Sequence, residues 1–182
     1  MSVRLSAIGY RLSAIILLIL ALVGCAAPPA DDGASGGGPT PEGVVESFIE
    51  DLNRAMQDPS LSNVEARRRW AERLAGYFAP GERIDQRAAF NDTLASFANT
   101  STSPVVGTKA TLAITSSRVE LLSRNGNQAL VRVVDGAFVL RWLDDQGEVL
   151  RERTGSLSEV IGQEGDSMPV IEVGGLWFLT EG

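Results

Sequence analysis

Apolar residues recur every three or four positions through the first half of the chain's body and every second position through the latter half. Val44, Val45, Phe48, Ile49, Leu52 and Met56 form one stripe that ends at Asp58-Pro59, which predicts an amphipathic helix opening at Pro41. Thr40 is placed to cap it, Pro41 suits the first helical position, and Glu42 lies at the positive end of the helix dipole. A second helix is expected to open at Ser62-Asn63-Val64-Glu65, a capping-box string, with Ala66, Trp70, Leu74, Tyr77 and Phe78 turned inward. The string "APG" at 79–81 ends it, and a third helix over about 85–98 carries Phe90, Leu94 and Phe97 on its apolar side.

After the polar string "NTSTSP" at 99–104 the period changes to two and β-branched residues multiply. Strands are expected near 109–123, 128–142, 148–161, 169–173 and 176–181. Turns are expected at Asn125-Gly126, Asp144-Asp145-Gln146-Gly147 and Gly174-Gly175. Asp135-Gly136 interrupts the longest strand and reads as a bulge or bend rather than a turn. The sequence therefore predicts an α+β domain over 42–182, with three N-terminal helices packed on a curved antiparallel β-meander.

Ahead of this body the pattern is different. Arg4 and Arg11 precede an uncharged apolar run of 12 residues, "LSAIILLILALV", too short to cross a bilayer but right for the core of a secretory signal. The run ends in Leu22-Val23-Gly24-Cys25, which resembles the lipobox of bacterial lipoproteins at all four positions. The resemblance implies a signal peptide over 1–24, cleavage between Gly24 and Cys25, and a diacylglycerol thioether on the Cys25 sulfur. It further implies acylation of the freed amine and attachment to the cell membrane or outer membrane, on its extracytoplasmic side. Two or more acyl chains hold a protein stably where one holds it marginally. Residues 26–41, "AAPPADDGASGGGPTP", contain no large apolar side chain and read, with Cys25, as a linker.

Composition narrows the chemistry. The chain of 182 residues has a formal charge of −7; without Arg4 and Arg11 it has 14 basic against 23 acidic residues, a charge of −9. A body of that sign repels nucleic acid and anionic surfaces, so no nucleic-acid partner is expected. Histidine is absent and Cys25 is the lone cysteine. That excludes His-dependent nucleophile pairs, His-ligated zinc or iron, thiolate metal cages and internal disulfides, so neither a metal nor a cofactor is expected. The string "RRRW" at 67–70 reads as a solvated face, with Glu65–Arg69 and Arg68–Glu72 at i,i+4 spacing.

The amphipathic first helix, the string "LAGYFAPGE" (74–82) and the closing hairpin "IEVGGLWFL" (171–179) together resemble the nuclear transport factor 2-like, or cystatin-like, superfamily. The resemblance implies a cone-shaped fold with its helices on the concave face of the sheet. Enzymes of that superfamily work with a carboxylate inside the cone, where a raised pKa makes a base. The candidates here are Asp135, flanked by "ALVRVV" and "AFVL", with Tyr77, Glu159 and Glu172. No partner for Asp135 stands at a recognisable family spacing. Trp70, Tyr77, Phe90, Trp142 and Trp177 are the candidates to line a pocket for an apolar ligand. The expected function is non-enzymatic: a lipid-anchored domain binding a small apolar ligand or a protein partner, or pairing with a second copy through the outer sheet face. The alternative is a small polyketide-cyclase or isomerase-like enzyme.

Overall fold

The stripe at 44–56 becomes a helix whose apolar side is wholly buried. In the computed structural model α1 spans Pro41–Gln57, and Val44, Val45, Phe48, Ile49, Leu52, Ala55 and Met56 all lie in the core. Thr40 caps it as expected, its Oγ1 accepting from the Gly43 amide at 3.1 Å, and Pro41 occupies the first turn. The structure describes residues 36–101, 109–116, 118–157, 159 and 167–181; the expected signal sequence, Gly24, Cys25 and residues 26–35 lie outside the described residues.

Helix α2 (Val64–Gly76) and helix α3 (Arg83–Ser101) pack against each other. The cap of α2 is Asn63 rather than Ser62: Asn63 Oδ1 accepts from the Glu65 amide at 2.8 Å. Asparagine caps as well as serine. The shift leaves the Leu61 and Ser62 carbonyls in the turn, where both accept from Arg67 at 2.7 and 2.9 Å. Arg68 and Arg69 are exposed, as a solvated face requires, but Glu72 pairs with Arg87 of α3 at 3.0 Å. The charge thus ties two helices instead of decorating one.

Seven strands stand where periodicity predicts five. The expected strand at 109–123 is divided into β1 (Lys109–Thr115) and β2 (Arg118–Asn125). The one at 128–142 is divided into β3 (Gln128–Val134) and β4 (Ala137–Leu143). The third ends early as β5 (Val149–Ser156), because Leu157 leaves the strand and is buried. β6 (Ser167–Val173) and β7 (Leu176–Leu179) close the chain. All pairings are antiparallel, in the orders β1-β4-β5 and β2-β3-β6-β7.

The two sheets are two halves of one bent meander. β1 and β2 form one arm, β3 and β4 the next, and each arm crosses from sheet to sheet at its bend. At the second bend Asp135 takes φ 53°, a left-handed conformation that turns the strand. Gly136 follows because a Cβ there would lie 3.0 Å from Leu157 and Val133 side-chain carbons. The bend read from Asp135-Gly136 is therefore present, and it does more than kink one strand. Helix α1 packs against β1, β2, β3, β6 and β7, so its apolar stripe closes the core between both halves.

The last strand is sealed on its outer edge. Trp177 exchanges two backbone hydrogen bonds with Gly38 (2.9 and 2.8 Å), while Leu179 bonds Tyr77 and Ala79 at 2.9 Å each. Residues 36–41, which composition assigns to the linker, belong to the fold for this reason. Glycine is what permits the approach: a Cβ on Gly38 would meet the Val44 nitrogen at 2.8 Å, and one on Gly37 would meet the Phe178 ring at 2.6 Å. Backbone at Val44 cannot yield as a flexible side chain would. Gly38→Ala is expected to cost about 2 kcal/mol, lowering the unfolding midpoint by roughly 6 °C. Gly81→Ala, where a Cβ meets open space, serves as the control in the same thermal melt.

Candidate functional site

A groove of about 600 Å³ runs between the α1–α2 connection and the edge of β1. Met56, Pro59, Leu61 and Phe97 form its apolar wall. β1 from Lys109 to Ala113 forms the opposite side, with Val139 and Arg141 of β4 behind it. The wall exists because Asp58-Pro59 stops α1 and sends the chain outward before Leu61 turns back into the core.

Asp58 fixes that connection. Its Oδ1 accepts from the Ser60 amide (2.8 Å) and hydroxyl (2.5 Å), and its Oδ2 accepts from the Trp70 indole N–H at 2.6 Å. The Ser60 hydroxyl, followed by the Trp70 indole, holds the Asp58 carboxyl below the usual carboxylate range. Such a carboxylate is ionised, engaged and a poor proton acceptor near neutrality. Its role is to hold Trp70 and the wall in place.

A second constellation lies where α1 meets α2. Asp51 is 2% exposed, and its Oδ2 accepts from Arg73 Nε and from the Tyr77 hydroxyl, both at 2.6 Å. Arg54 Nη1 reaches Oδ1 at 3.5 Å. Burial, then the hydrogen bond to Asp51, push the Tyr77 phenol well above its ordinary pKa. The phenol is a held donor, and the cluster latches two helices together. Position 51 follows Phe48 by three and precedes Ala55 by four, so it shares the buried phase of α1. A lone acid at that phase was the signal by which the sequence could have revealed it.

The groove excludes the five aromatic residues expected to line a pocket. Trp177 is 3% exposed, in the core, with the Arg124 guanidinium 4.7 Å from its ring centre. Tyr77 packs edge-on and Phe90 tilted against Phe48, at 5.9 and 6.0 Å between ring centres. Trp142 lies under Arg151 at 5.1 Å, and Trp70 is tied to Asp58. Large aromatic residues at helical and strand spacing have been used here to fill and staple the core.

The candidate acids are equally dispersed. Asp135 is exposed on the outside of its bend, and so is not a base enclosed by the sheet. Tyr77 belongs to the Asp51 latch. Glu159 accepts from Arg153 at 2.8 Å, and Glu172 from Arg124 at 3.2 Å. Among the described residues no group of three acids could hold a metal ion, and no helix is long and apolar enough to cross a membrane. No protein-family model matches the chain, and no curated protein matches it in sequence.

Proposed function

We propose that the chain is a membrane-tethered binding module: a lipid on Cys25 anchors it, and the groove beside β1 is its binding surface. The groove carries the reading, because it combines an apolar wall with a fixed rim. The candidate acids among the described residues, by contrast, are held in ion pairs or hydrogen bonds or lie on the outside. The meander bent around α1 is in keeping with the resemblance to the nuclear transport factor 2-like superfamily. Fold-level likeness of this kind names no ligand, so the groove's own chemistry must do so.

Anilinonaphthalene sulfonate, an apolar anionic dye, is expected to fluoresce on binding the folded protein at one saturable site. Ala113→Trp places an indole in the groove and is expected to abolish that signal while the protein stays folded. Dye binding that Ala113→Trp leaves untouched would remove the groove from consideration.

A further inference from the structure

The edges of the two sheets are treated unequally. β7 is sealed by Gly38 and by Tyr77–Ala79. β5 carries Arg151, Glu152 and Arg153 in exposed positions, and β2 has a register shift between Leu121 and Ser123. Charges and bulges are the usual means of blunting an edge. β1 has no bulge and a single charge, Lys109 at its first residue, and it lines the groove.

The parity of its backbone can be read from one bond. The Ile114 amide points away from β4 and donates to Asn53 Oδ1 of α1 at 2.8 Å. In an antiparallel ladder, bonded and non-bonded pairs alternate, so Ala110 and Leu112 point their N–H and C=O groups out of the same edge. Among the described residues nothing bonds those groups. Ala110 and Leu112 are nevertheless only 5% and 7% exposed, and both line the groove. Buried backbone groups in that state are costly and rare. Asn53 ends the open stretch, which leaves Lys109 to Ala113 available, roughly 17 Å of strand.

We infer that the groove takes an extended peptide from a partner protein, added as a strand along β1, with a carboxylate side chain at the Lys109 end. The inference rests on the groove being the binding surface and is independent of the lipid anchor. Main chain is the ligand whose donors and acceptors repeat at the spacing of Ala110 and Leu112. Charge sets the direction. Lys109 is exposed and without an ion pair among the described residues, whereas Asp58 is consumed by Ser60 and Trp70 and Arg141 by Glu152. Beyond Ile114 the surface turns acidic, with Glu46 and Glu50 beside Thr115 and Ser116.

The test uses the full chain and two blocked peptides, Asp-Val-Thr-Val-Thr and its twin beginning with Lys. Saturable binding of the acidic peptide is expected, with hydrogen exchange at the Ala110 and Leu112 amides slowed about tenfold or more. Lys109→Glu is expected to weaken the acidic peptide about fivefold and reverse the preference between the two. Ala110→Pro removes an outward N–H, a change that edge strands tolerate, and is expected to abolish binding with the melt preserved. Peptide binding that leaves both amides exchanging freely, survives Ala110→Pro, or ignores the Lys109 charge overturns strand addition. If the acidic peptide fails to bind while the dye binds, strand addition alone is lost; if both fail, the groove itself is lost as a binding surface. Because Lys109 is exposed, its variant decides the matter even if Ala110→Pro does not fold.

Discussion

Asp51→Ala is expected to lower stability by about 3 kcal/mol and the unfolding midpoint by roughly 10 °C. The carboxylate is buried at the crossing of α1 and α2 and is held there by Arg73 and Tyr77. Burying a charge is costly, and the donors offset that cost only while all of them are present. Truncation leaves the Tyr77 hydroxyl without its acceptor and removes the Asp51–Arg73 ion pair. Arg73 can turn to solvent, which keeps the expected loss at the lower end for buried pairs. Tyr77→Phe removes one donor and should cost about 1 kcal/mol at neutral pH. The phenol's pKa in the fold lies above the unfolded value of about 10. Its contribution is therefore complete below about pH 10 and is lost as the pH rises toward the folded value. Urea midpoints measured across alkaline pH should fall for the native chain, and Tyr77→Phe should flatten that component. A slope unchanged by Tyr77→Phe would falsify the latch.

The helices were legible because their burial is periodic and local. Thr40, Pro41 and the stripe from Val44 to Met56 specify α1 without reference to anything distant. The strands were half legible. Alternation shows where extended backbone runs, but it cannot show that a strand changes sheet midway, since side chains continue to alternate across a bend. Asp135-Gly136 was the visible trace of one crossing; another, from β1 to β2, runs through Ser116-Ser117, a pair with no glycine to mark it. The linker boundary was misplaced for a related reason. A glycine run reads as unstructured by composition, yet at 36–38 the absence of side chains is what lets the backbone lie against β7 and α1.

The site was the least legible part. Aromatic residues are natural pocket walls, but size favours burial: Trp177 lies in the core, and Phe90 and Tyr77 pack against it. The groove is built instead from modest residues such as Pro59, Ala110 and Ala113, and from backbone groups that have no sequence signature. Its one chemical hint was Lys109, the only lysine in the chain. A lysine at the start of an alternating strand is too ordinary to stand out before the edge beside it is known to be open.

Cys25→Ser is expected to abolish incorporation of labelled palmitate, to leave the 24-residue signal attached, and to free the protein from lipid-dependent membrane retention. The expectation follows from the resemblance of Leu22-Val23-Gly24-Cys25 to a lipobox, in which the thiol would carry the diacylglycerol and its modification would precede cleavage. The fold adds a geometric consequence. Gly38 is bonded to Trp177, so the chain enters the folded body by Gly36, which lies eleven positions after Cys25. Eleven chain steps span at most about 36–40 Å, which keeps the body within that distance of any anchor at Cys25. Anchoring and folding should then separate cleanly. Cys25→Ser should change processing and membrane partition while leaving the melt of the body unmoved, and Gly38→Ala should do the reverse. If Cys25→Ser were processed and retained like the native chain, the lipoprotein reading would fail, although the groove and its open edge would stand.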